Sequence, residues 1–348
     1  MTGTTLRRAL LLSGVVGAGL AFAQDSPVIR VDVRLVRILA TVKDANGGLV
    51  GSLEKSDFTV KDNGAPQEIA VFERQTDQPL SVAILIDNSG STAKDLKYET
   101  DSVLRFLHSL FREGNPGDMA ALYSFNWEIV KQNGFSRNVP AFERSLKNLR
   151  GEAGTSLYDA ILLASRDIQD RQGRKILVVV TDGGDTISRA DFQAATEAAQ
   201  LADAVIYPIL VVPIANEAGR NVGGENALTT FALRTGGKVF EPTLGKALDQ
   251  AFDQILRDLM TQYLIGFYPH DVPLTQDRFH TLEVGVGGEG LQVKARSGYY
   301  GEALPAASSA GYQGSAATTT TTGPDESIRK RRPPAQPPAP NKRPAVQN

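Results

Sequence analysis

Hydrophobic positions change their period twice along the chain. Ile29, Val31, Val33 and Leu35 alternate with Arg30, Asp32 and Arg34, the period-2 signature of a strand with one buried face. Asn46-Gly47-Gly48 and Asp62-Asn63-Gly64 are hairpin-type turn signals, so residues 28–72 are expected to form a small all-β unit. From Leu80 the pattern becomes continuous. Leu80–Ile86, Ile176–Val180 and Ala204–Val212 are nearly unbroken apolar runs, as strands buried on both faces require. Between them, Leu96, Thr100, Val103, Leu107 and Leu110 follow a helical 4-3-4-3 rhythm that stops at Asn115-Pro116-Gly117. Leu157–Ile168, Ala190–Ala202, Glu225–Arg234 and Leu244–Leu259 also read as helices. This alternation predicts a doubly wound α/β domain with a mostly parallel sheet.

After Tyr263 the period returns to 2. Leu282, Val284 and Val286, then Leu291, Val293 and Ala295, flank Gly287-Gly288-Glu289-Gly290, which predicts a hairpin. A lone hairpin is marginal in water, and the N-terminal β unit is small to stand alone. The economical arrangement joins the two: residues 24–78 and 263–302 form one β module, with the α/β domain (79–262) inserted between its halves.

The two ends read differently. Met1–Ala23 has a basic start at Arg7-Arg8, an apolar stretch Ala9–Phe22 and the A-x-A site Ala21-Phe22-Ala23, the pattern of a signal peptide. A membrane anchor would need roughly 20 apolar residues, more than this stretch offers. No Ser or Thr immediately precedes the paired arginines, which favours general secretion over twin-arginine export. The mature chain, starting at Gln24, is expected to be secreted or periplasmic, with no transmembrane segment left after signal removal. Residues 303–348 are low-complexity, with a threonine run (Thr318–Thr322), the cluster Arg329-Lys330-Arg331-Arg332 and a proline-rich end. Such a segment buries too little apolar surface to fold and is expected to be a disordered tail. Its basic cluster could touch an anionic envelope surface.

Composition narrows the chemistry. The 348 residues include no cysteine, which removes disulfides, thiol nucleophiles, zinc–thiolate sites and Fe–S clusters, and fits an oxidising compartment. Three histidines, His108, His270 and His280, leave little for a histidine metal cage. The net charge of −2 gives no case for nucleic-acid binding. Without Arg7 and Arg8 the 39 acids face 35 basic residues, and six of those basic residues lie in the last twenty positions. The folded part is therefore acidic and the tail basic. Carboxylates, hydroxyls and backbone groups remain as candidate chemistry.

Those groups cluster where an α/β sheet binds ligands. Asp87-Asn88-Ser89-Gly90-Ser91 follows directly on the apolar run Leu80–Ile86 and leads into a helix. In a doubly wound sheet, the carboxyl ends of the strands form the ligand crevice. Gly154-Thr155-Ser156 opens another helix, and Thr181-Asp182-Gly183-Gly184-Asp185 closes the run Ile176–Val180 at the same edge. Hard oxygen ligands in a compact cluster suit Mg²⁺, which keeps several waters, with Mn²⁺ or Ca²⁺ as alternatives. Helix capping by Asp87, Ser89 and Thr155, with Asp182 as a turn residue, is the plainer alternative.

Asp87, Ser89 and Ser91 in the spacing D-x-S-x-S, Thr155 in Gly154-Thr155-Ser156-Leu157-Tyr158-Asp159-Ala160, and Asp182 in Thr181-Asp182-Gly183 resemble the von Willebrand factor type A (VWA) family and its metal-ion-dependent adhesion site. The resemblance covers about residues 80–262. The flanks, with Asp57-Phe58, Asp62-Asn63-Gly64, Pro66-Gln67 and Tyr263-Leu264-Ile265-Gly266-Phe267-Tyr268-Pro269, look like the secreted acidobacterial-type VWFA-related family. The resemblance implies direct ligation by Ser89, Ser91 and Thr155, with Asp87 and Asp182 acting mostly through water. It also implies an open coordination position for an acidic group from a protein partner. Asp185 has no place in that ligand set and is expected to support or cap its loop.

Enzyme readings are weaker. An aspartyl phosphatase would want a second acid where Ser89 stands, and a Ser–His–Asp hydrolase needs a base. His108 falls in a predicted helix, and His270 and His280 in the terminal β unit. Gly223-Gly224-Glu225 reads as a loop at a helix start, with an anion site as the alternative. Trp127, between Phe125 and Ile129, reads as core or hairpin packing rather than a sugar platform. The expectation is a non-enzymatic, metal-dependent adhesion-type binding protein. An envelope scaffold with a structural metal is the alternative, and a metal-dependent hydrolase a more distant one.

Overall fold

The computed structural model describes residues 35–74, 78–92, 95–211, 222–243, 245–272 and 278–301. The expected signal peptide, the basic tail and residues 29–34 of the first expected strand lie outside the described residues. The described residues begin with β1 (Val36–Lys43), β2 (Phe58–Asp62), β3 (Ala65–Gln67) and β4 (Ile69–Arg74). An α/β stretch follows: β5 (Leu80–Asp87), α1 (Leu96–Glu113), β6 (Met119–Phe125), β7 (Ile129–Ser136), α2 (Val139–Asn148) and α3 (Leu157–Ile168). It continues through β8 (Arg174–Thr181), α4 (Phe192–Leu201), β9 (Ala204–Leu210), α5 (Val222–Thr235) and α6 (Lys246–Thr261). Four strands close the described chain: β10 (Tyr263–Phe267), β11 (Phe279–Val286), β12 (Gln292–Lys294) and β13 (Gly298–Tyr300).

The central sheet has the order β7-β6-β5-β8-β9, parallel except for the antiparallel edge strand β7. Every residue of β5 and of β9 is buried, as an apolar run between two helix layers must be. One face packs Val82, Ile84 and Ile86 against α1, α2 and α6, through Val103, Leu107, Phe142 and Ile255. The other packs Ala83 and Leu85 against α3, α4 and α5, through Ile161, Ala195 and Phe231. Each Val, Leu or Ile fully buried in these layers contributes about 1.5–3 kcal/mol relative to exposure. The expected doubly wound α/β architecture is present.

Three elements go beyond the apolar pattern. β6 carries Ala120-Ala121, poor strand formers by propensity, yet both are fully buried beside β5. Its edge partner β7 is half-exposed and lacks a continuous apolar run. α2 buries only Phe142 and Leu146; it is started by the Asn138 side chain accepting from the Ala141 amide (3.2 Å), with Pro140 in its first turn.

The flanking strands interleave. β1 pairs with β10 and β12, and β10 pairs with β4, giving the sheet β12-β1-β10-β4. β11 pairs with β2 and β13 in a second sheet, β13-β11-β2-β3. Both sheets feed one core containing Val36, Ile38, Val60, Tyr263, Phe267 and Leu282. Strands from before and after the α/β stretch thus pair with one another in both sheets. The expected hairpin across Gly287–Gly290 is corrected: β11 and β12 lie in different sheets, so this segment crosses between sheets. Period-2 alternation marks the buried face of a strand but not its neighbour, and the inner faces of two packed sheets alternate alike.

The module meets the α/β stretch where the parallel strands begin and along α4, where Gln200 donates to Gly298 O (3.4 Å) and Gln193 to the Tyr300 hydroxyl. The Arg174 amide donates to Pro79 O (3.0 Å), and its buried guanidinium donates to Leu259 O at the end of α6 and to Gln78 O (3.3 Å). Arg296 pairs with Asp203 at 2.8 Å, fixing the module beside the turn after α4. The carboxyl ends of β5, β6 and β8 lie at the opposite edge.

Candidate metal centre

Three loops meet at that free edge, tied by hydrogen bonds. The first, Asp87–Ser91, leaves β5; Asn88 N donates to Phe125 O at the end of β6 (3.0 Å). The second, Glu152–Ser156, precedes α3 and joins the first through Glu152 N to Asn88 O (3.0 Å). The third, Thr181–Asp185, leaves β8, and Thr186 N just beyond it donates to Thr155 O of the second (2.9 Å).

Within this frame Asp87 is fully buried. One carboxylate oxygen accepts from the Ser89 amide (2.9 Å), the other from the Thr181 hydroxyl (2.6 Å). Burial, with a smaller contribution from Asp182, pushes the Asp87 carboxyl up to about 6 against these hydrogen bonds. The Ser89 and Ser91 hydroxyls lie 3.0 Å apart, and Thr92 braces the turn by donating to Asp87 O (2.9 Å) and Ser89 O (3.0 Å). Thr155 is buried, while Ser91 is exposed and Asp182 half-buried at the rim. The structure therefore places all five expected residues on the three connected loops. Asp87, Ser89 and Ser91 are drawn together by direct contacts.

The spacing of the hydroxyls, which is that of an ordinary hydrogen bond, is also compatible with a small divalent ion. Oxygen ligands about 2.0–2.1 Å from Mg²⁺ and adjacent in an octahedron sit roughly 3 Å apart, which matches the Ser89–Ser91 separation of 3.0 Å. Among the described residues, no three carboxylate or imidazole side chains converge closely enough to hold an ion by themselves. A cation here would depend on Ser89, Ser91 and Thr155, with Asp87 and Asp182 supplying the negative charge behind them.

Neighbouring residues have definite roles. Asp185 caps α3, accepting from the Tyr158 amide (3.2 Å) and the Ser188 hydroxyl (2.5 Å), as its place outside the ligand pattern suggests. Gly223, Gly224 and Glu225 lie inside α5, which starts at Val222, not in a loop. Gly224 presses on the third loop: a Cβ there would fall 1.2 Å from Gly183 O. Trp127 requires a correction. It is 59% exposed, at the turn between β6 and β7, with its indole N–H donating to Glu152 (2.6 Å). Ile187, 47% exposed, also lies beside Gly154, whose φ is +85°. A Cβ on Gly154 would meet both, at 2.8 Å from Ile187 Cδ1 and 3.3 Å from Trp127 Cβ. The rim therefore carries two exposed apolar side chains beside its hydroxyls.

One buried acid near the rim escaped the sequence pattern. Glu99, in the first turn of α1, is fully buried. Burial, then the charges of Asp87, Asp95 and Asp182, push its carboxyl up to about 9.

Residues 82–184 match the family model described as the von Willebrand factor type A domain. Over that stretch the chain is similar to VWA domains, a class that in general serves as protein-interaction modules. Among solved structures it is similar to an aerotolerance-related membrane protein from Bacteroides fragilis, at 18% identity, covering 52% of this chain and 98% of that chain with a TM-score of 0.40. It is also similar to the vWF domain of the type V pili tip protein Mfa5 from Porphyromonas gingivalis (16% identity; 52% of this chain, 94% of that chain; TM-score 0.41). The PilB minor pilin from Streptococcus sanguinis is a third such likeness (13% identity; 53% of this chain, 62% of that chain; TM-score 0.42). No curated protein sequence matches the chain. No helix among the described residues is long and apolar enough to cross a membrane.

Proposed function

We propose that this chain is an extracytoplasmic, non-enzymatic binding protein that takes up Mg²⁺, or Mn²⁺ or Ca²⁺ in its place, and uses the ion to hold an acidic group of a protein partner. The observation that carries this reading is the pair of Ser89 and Ser91 hydroxyls, 3.0 Å apart, beside a buried Asp87 on loops bonded to those of Thr155 and Asp182. Neutral hydroxyls leave an ion's charge incompletely cancelled, so a carboxylate from outside is the favoured further ligand. The exposed Trp127 and Ile187 beside the rim suit the apolar surroundings of such a contact; aromatic side chains are enriched in interfaces. The flanking β strands contact the α/β stretch where its parallel strands begin and along α4, which leaves the rim of the three loops open to a partner.

Calorimetry of the mature chain tests the site. Mg²⁺ or Mn²⁺ should bind the wild type, and Asp87→Ala with Ser89→Ala should abolish binding while the fold survives. Equal binding by both proteins would refute the assignment. A pull-down from envelope extract with Mg²⁺ and with EDTA then separates the roles: capture that ignores the chelator would make any metal structural. The same preparation tests export, since the extracytoplasmic form should begin at Gln24. An intact Met1 terminus there would refute the signal peptide.

A further inference from the structure

Five acidic side chains are buried among the described residues: Asp62, Asp87, Asp118, Asp258 and Glu99. Four of them have donors. Asp62 accepts from Tyr299 (2.6 Å), Asp87 from Thr181 and Ser89, Asp118 from the amides of Leu80 and Asn115 (both 2.7 Å), and Asp258 from Gln254 (2.7 Å). Glu99 has none: both carboxylate oxygens are buried without a hydrogen-bond partner among the described residues. The charges that bear on it, Asp87, Asp95 and Asp182, are all negative. A buried acid in such surroundings is destabilising unless something positive or hydrogen-donating reaches it. A leucine there would extend the apolar stripe of α1 without that penalty.

Two of the three acids bearing on Glu99 belong to the candidate metal centre, and α1 follows in sequence the loop that carries Asp87, Ser89 and Ser91. We propose that Glu99 is a positioning residue of that centre, its carboxylate accepting hydrogen bonds from the water shell of the bound divalent cation. This rests on the metal reading given above. A hydrated cation supplies what Glu99 lacks, O–H donors and a compensating positive charge. The hydroxyls of Ser89, Ser91 and Thr155 hold the cation from the rim, and Glu99 orders its water from the buried side. Outer partners of this kind typically change metal affinity by 10–100-fold.

The test compares wild type, Glu99→Gln, Glu99→Asp and the Asp87→Ala/Ser89→Ala double variant, as mature chains. Mn²⁺ affinity is read by electron paramagnetic resonance, and metal-free stability by thermal unfolding. Glu99→Gln should weaken Mn²⁺ binding at least tenfold while metal-free Tm is unchanged or raised. Glu99→Asp, which keeps the charge, should recover part of the affinity. Unchanged Mn²⁺ affinity in Glu99→Gln, with binding abolished in the double variant, would overturn the role of Glu99 and leave the metal site standing. A metal-free Tm that falls in Glu99→Gln would make the residue structural and also overturn the proposal. Absence of Mn²⁺ binding by the wild type would overturn the metal reading and this inference together.

Discussion

Gly224→Ala tests how the third loop is held. A Cβ at this position would lie 1.2 Å from Gly183 O, 2.3 Å from Gly183 C and 3.0 Å from Gly184 Cα. Carbon and carbonyl oxygen tolerate about 3.3 Å at closest, so helix or loop must yield by roughly 2 Å. α5 is fixed by the fully buried Leu228 and Phe231, whereas Asp182 is half-exposed, so the loop gives way. A shift of that size equals an entire Mg–O bond length, about 2 Å, and takes Asp182 out of reach of its neighbours. Divalent-metal affinity by calorimetry should fall at least tenfold. Overpacking should cost about 1–3 kcal/mol, lowering Tm by several degrees at roughly 2–4 °C per kcal/mol. Gly223→Ala, at the exposed position just before, should change neither. Wild-type affinity and Tm in Gly224→Ala would refute the argument that α5 buttresses the loop.

Two further expectations concern the β module. Deleting residues 263–348 removes β10 from between β1 and β4 and β11 from beside β2, so amide protection at Ile38–Val42 and Val60 should collapse while β5 and β8 stay protected. Unchanged protection at Ile38–Val42 would mean that the N-terminal strands fold without the C-terminal ones. Tyr299→Phe removes the 2.6 Å hydrogen bond to the buried Asp62 and should cost about 1.5–3 kcal/mol; an unchanged urea midpoint would contradict this.

The central sheet was legible because its chemistry is local and unambiguous. Leu80–Ile86 and Ile176–Val180 are apolar without interruption, a pattern that only a doubly covered strand tolerates. The three loops were legible for the same reason: Asp, Ser, Thr and Gly directly after such strands stand out. What escaped depends on contacts distant in sequence. β6 is a strand because β5 and β7 flank it, not because Ala120-Ala121 prefer that state. Trp127 lies between Phe125 and Ile129, both of which pack inward, but the turn at 126–128 rotates it outward. Glu99 looks like an ordinary acid in a first helical turn, where the helix dipole favours one. The available signal was its phase: it follows Leu96 by three positions and precedes Val103 by four, on the buried stripe of α1.

The placement of the β module also has a mechanical consequence. Leu80, beside the module, and Asp87, on the rim of the three loops, are the two ends of a single strand. A partner gripped at the rim and pulled away from an anchored module would load β5 along its length. β5 is bonded in register to β6 through Ser81–Asp87 and to β8 through Leu80–Ile86, seven residue pairs on each side. Tension would therefore act on both ladders in shear, shared by many hydrogen bonds at once, instead of peeling them apart one by one. The same strand that presents the rim would carry the force across the domain.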